Sequence, residues 1–106
     1  TLPDFDGLAS ACAPASVRAA LDAILISHVH LDHMGALPTL VSRFYNATAK
    51  PPVFASFATL TLAPLMLRNA AAHVDPAHVQ LDPSSISASL DDAIAVSLGA
   101  TVTLAT

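Results

Sequence analysis

Ile24-Leu25-Ile26-Ser27-His28-Val29-His30-Leu31-Asp32-His33-Met34-Gly35 joins an apolar run of strand length directly to three histidines and an aspartate. From Ala23 to Ser27 the run is continuous rather than alternating, the pattern of a strand covered on both faces. His28 and His30 follow at period-2 spacing, so extended backbone points both imidazoles the same way and converges them on one point. Asp32 and His33 come where the chain turns into a helix, which aims them at a second point close to the first. Two such points suit a pair of metal ions that share a bridging hydroxide and polarise the bond under attack. Neutral imidazoles with one hard carboxylate fit zinc better than magnesium or calcium. Gly35 lets backbone approach the crowded cluster and tolerates unusual φ at the turn.

Chance explains this register poorly: with five histidines in the chain, three falling beside an aspartate in this way is on the order of one in a thousand. A structural zinc site is a weaker alternative, because such sites close with four tetrahedral ligands and lean on cysteine, which this segment lacks. His73 and His78, flanked by Asp75 and Asp82, have the chemistry to complete a metal shell but equally suit solvated or helix C-terminal positions. Met34, Met66 and Phe57 read as core residues.

Working outward from the motif, residues up to Pro14 show no sustained period and read as loop. Ala15 to Leu21 has room for a short helix with Pro14 in its first turn, and Asp22 ends it. Leu37 to Tyr45 is helix-like, with Pro38 tolerated where amides have no intrahelical partner. Asn46 to Pro52 is turn-rich, Val53 to Ser56 is a second strand, and Leu62 to Ala72 a second helix that starts late enough to keep Pro64 in its first turn. Asp75-Pro76 and Asp82-Pro83-Ser84-Ser85 mark breaks. Ser89 and Asp92 resemble a capping box opening a helix to about Ser97, Gly99 would be its C′ residue, and Thr101 to Ala105 a final strand. Strands alternating with helices predict an α/β class with parallel pairing.

The chain has 106 residues, enough for one small domain or part of one. Hydrophobic residues are 54% and charged residues 11% of it, so much of the surface is expected to meet a partner. No apolar run reaches the roughly 18 residues of a membrane span, and the start lacks a signal-peptide pattern. Cys12 is the single cysteine, which excludes an internal disulfide framework and favours a reducing compartment. The formal charge is −4, with Arg18, Arg43, Lys50 and Arg68 scattered along the chain, so no electrostatic footprint for nucleic acid is visible in this segment alone.

Ile24 to Pro38 resembles the metal-binding segment of the metallo-β-lactamase superfamily, and more narrowly that of the β-CASP RNA-processing nucleases. That branch includes the endonuclease subunits of the cleavage and polyadenylation specificity factor and of Integrator. Leu31 and the tail Gly35-Ala36-Leu37-Pro38 favour it; small-molecule hydrolases of the superfamily more often carry Gly at the position of Leu31. Asp22 matches an acidic residue usual before the strand. Val53 to Thr59 sits where the family has a strand and a His- or Thr-containing turn, and Ser89 to Ala95 resembles the short helix before the next family strand.

The resemblance implies an αββα sandwich, of which residues 1–106 would be a part lacking N- and C-terminal segments and the β-CASP insertion. It implies two zinc ions, His28 and His30 holding the first and Asp32 and His33 the second, with Asp32 and His33 serving directly in catalysis. It also implies RNA cleavage by a metal-bound hydroxide in messenger-RNA 3′-end or small nuclear RNA processing, in the nucleus, beside other subunits of a processing complex and away from membranes. Missing ligands would leave the segment by itself inactive. The alternatives are a hydrolase of thioesters, lactones or β-lactams on the same fold, and a non-catalytic scaffold or truncated paralogue.

Overall fold

The computed structural model describes residues 6–7, 21–45, 50–72 and 83–104. In chain order the elements are β1 (Ile24–Leu25), α1 (Leu31–Met34), α2 (Leu37–Phe44), β2 (Val53–Ala55), α3 (Phe57–Ala71), α4 (Pro83–Leu90) and β3 (Ile94–Ala95). The three strands form one parallel sheet in the order β1-β2-β3. The fold is α/β, as strands alternating with helices require. The expected helix over residues 15–21 falls almost wholly outside the described residues, as do Cys12, the Asp75-Pro76 break, His73 and His78. Among the described residues no helix is long and apolar enough to cross a membrane.

β2 is the central strand, and Val53, Phe54 and Ala55 are all buried. Val53 is in register with Ile24, and Phe54 with both Leu25 and Ile94. Partners in register project to the same side of a pleated sheet. On one side Ile24 and Val53 meet Leu37, Val41, Phe44 and Tyr45 of α2 and its C-cap. Ile26 and Leu90 belong both to this cluster and to the neighbouring one of Met34, Ala63, Leu67, Ala70 and Ile86, so the two clusters form one continuous core under the helices. The other side carries Leu25, 77% exposed, and Ile94, 44% exposed. Coverage of β1 on both faces is therefore not observed among the described residues: its helices lie over the Ile24 side.

α2 forms where Pro38 predicts a first turn, because Pro stands at a position whose amide has no intrahelical acceptor. Its apolar stripe of Leu37, Val41 and Phe44 is buried while Ser42 and Arg43 stay exposed, the helical i, i+4, i+7 spacing of one face. The extended backbone of Tyr45 ends it.

α3 begins five residues before the expected Leu62. Ser56, expected to close β2, instead caps the helix: its Oγ accepts from the Thr59 amide at 3.1 Å and donates to Thr59 Oγ1 at 2.9 Å. A satisfied N-cap fixes the start even with a proline farther along, so Pro64 lies inside the helix and leaves the Leu60 carbonyl without its i+4 amide. The early start also puts Phe57 at the first helical position, 75% exposed, where a core position was expected. Met34 is buried and Met66 half-buried against the core, as expected.

The largest departure is near the C-terminus. Pro83-Ser84-Ser85, expected to mark a break together with Asp82, instead starts α4, with Pro83 in its first turn; Asp82 lies outside the described residues. Ser89 opens no helix: fully buried, it donates its Oγ to the Ile86 carbonyl at 2.9 Å. The helix ends at Leu90, and Ile94–Ala95, expected to be helical, pairs with β2, with the Val96 amide donating to the Ala55 carbonyl at 2.9 Å. Non-local pairing overrides local pattern here. Gly99 does take positive φ, 76°, but in a turn closed by Ala100 N–H to the Ser97 carbonyl at 3.1 Å rather than at a helix C′. Residues 101–104 are exposed and irregular, not a strand.

Candidate metal centre

The motif leaves the sheet at the C-terminal end of β1. The Ile26 amide donates to the Phe54 carbonyl at 2.9 Å, extending the ladder one step past Leu25, and the chain then rises above the sheet edge. Val29 is half-buried against the core under α3 and α4, and Met34 is 3% exposed in the same cluster. These two apolar anchors turn His28, His30, Asp32 and His33 away from the core. His30, with extended backbone, precedes α1, whose first turn places Asp32 and His33. The His33 amide donates back to the His30 carbonyl at 2.9 Å, so one helical turn returns His33 over the residues that end β1.

Three imidazoles meet there. The ring centroids of His28 and His30 are 4.8 Å apart with planes at 81°, and those of His28 and His33 are 4.0 Å apart with planes at 43°. Asp32 Oδ2 lies 3.5 Å from His33 Nε2, with the Asp32 side chain 80% exposed and that of His33 47% exposed. Ser27 Oγ is hydrogen-bonded to His28 Nδ1 at 3.0 Å.

The expected pairing is only partly visible in this arrangement. His28 is closer to His33 than to His30, so the side chains do not divide into one point for His28 and His30 and another for Asp32 and His33. Among the described residues no three of His, Cys, Asp and Glu are set for a single ion. The reason is local: α1 starts immediately after His30 and folds His33 back onto His28. The donor chemistry nonetheless fits zinc, since three imidazoles and a carboxylate are gathered at one sheet edge and, among the described residues, His28 Nδ1 is hydrogen-bonded outside the group, to Ser27. Asp32 and His33 are exposed enough to change rotamer without disturbing the core.

Gly35 is needed for another reason than expected. Its backbone is ordinary right-handed helical, φ −64° and ψ −21°, so no unusual φ is involved. A Cβ there would lie 2.6 Å from the Leu31 carbonyl oxygen, which accepts from the Gly35 amide at 2.7 Å. Glycine permits the tight closure of α1 that holds Asp32 and His33. Sequence reasoning passes over Ser27; a hydroxyl directly before the first histidine is the signal that points to it.

Arg43 is paired with Asp6, and Lys50 with Asp92. Arg68 lies in the last turn of α3, exposed, and Arg18 falls outside the described residues.

A parallel three-stranded sheet with imidazoles and a carboxylate gathered beyond a strand's C-terminal end defines an α/β protein with zinc-compatible side chains at one sheet edge. The chain belongs to the metallo-β-lactamase superfamily, whose family model matches residues 18–97. Members of this superfamily bind metal ions, usually zinc. Over 50 residues, 47% of its length, the chain is also 42% identical to a ribonuclease of Thermus thermophilus, and the match spans 11% of that protein.

Proposed function

We propose that this chain carries part of the catalytic metal centre of a zinc-dependent endoribonuclease, within a partial metallo-β-lactamase domain of the β-CASP branch. The observation that carries this is the gathering of His28, His30 and His33, with Asp32 beside them, at the sheet edge of a chain similar to a ribonuclease. In the complete domain two zinc ions are proposed, His28 and His30 serving one and Asp32 and His33 the other. Bound zinc supplies an activated nucleophile and neutralises charge on the scissile phosphodiester. Val29 and Met34 hold the donors in place, Ser27 orients the His28 ring, and His30, Asp32 and His33 are exposed to solvent, where substrate would arrive. The proposed setting is messenger-RNA 3′-end or small nuclear RNA processing in the nucleus, with other subunits of a processing complex as partners.

A second reading, hydrolysis of a thioester, lactone or β-lactam, is favoured by one observation: among the described residues Arg43 and Lys50 are both paired with carboxylates, which weakens their field toward a polyanion. The experiment that separates them offers the zinc-loaded whole protein a labelled single-stranded RNA and, in parallel, one substrate of each small-molecule class. Internal cleavage of RNA that is lost in His30→Ala and Asp32→Ala supports the first. Turnover of a small ester or lactam with intact RNA overturns it.

A further inference from the structure

We draw no further inference here: the strongest candidate, the open face of the three-stranded sheet on which Leu25 and Ile94 are exposed, is an unpartnered apolar surface, and nothing in the structure shows what covers it.

Discussion

Lys50 is paired with Asp92 across the sheet, the lysine side chain 2% exposed and the aspartate 66% exposed. Lys50 precedes β2 and Asp92 precedes β3, so the pair fastens the two chain segments that enter the sheet at the end opposite the histidines. A buried ammonium without its counter-ion is strongly unfavourable, whereas the exposed carboxylate loses little by separation. Asp92→Ala should therefore destabilise the protein by about 1–3 kcal/mol. Lys50→Met in the Asp92→Ala background should recover part of that loss. Urea midpoints of the four variants in a double-mutant cycle check it, and additive effects would show that the pair contributes nothing.

Ser27→Ala should weaken zinc binding by about tenfold, the lower end for groups that orient a metal-ligating histidine, because this hydroxyl is exposed. Competition with a chromogenic chelator measures the affinity. The histidine nitrogen chemical shifts of the unloaded protein should also change at His28, a readout independent of turnover.

Gly35→Ala forces a methyl group against the Leu31 carbonyl, which must move several tenths of an ångström. A loss of about 1–3 kcal/mol is expected, typical of overpacking against backbone. Because α1 carries Asp32 and His33, zinc affinity should fall together with thermal stability, whereas Ser27→Ala should affect affinity alone. Calorimetry of both variants distinguishes the two patterns.

Pro64→Ala should stabilise the protein. Alanine restores an amide that can donate to the Leu60 carbonyl and removes the ring from the interior of α3, so a gain of about 1–3 kcal/mol is expected. A rise in the thermal midpoint checks it; no rise would mean that the proline ring contributes packing of equal value.

The parts of the structure legible in the sequence are those with a local cause. β1 and β2 are short apolar runs, α2 has both a clean stripe and Pro38, and the spacing of His28, His30, Asp32 and His33 assembles the imidazoles within one turn of backbone. Where local signals compete, they mislead. Ser56 reads equally as the end of a strand or as a cap, and only the cap bond to Thr59 decides it. Ser89 and Asp92 mimic a cap and so point to a helix over Ile94 and Ala95, while pairing with β2, distant in sequence, makes these residues a strand. The gathering of His28, His30 and His33 is legible; whether the side chains fall into two sets is not, since that depends on rotamers that helix α1 sets.

Val29, within the motif, and Met34, directly after it, are its attachments to the core. The donors thus travel as a single cassette hung from two apolar pegs, and their mutual spacing is insulated from changes elsewhere on the surface. The same design concentrates vulnerability: altering the volume of either peg would shift every donor at once, so the most damaging lesions to this centre need not involve a ligand.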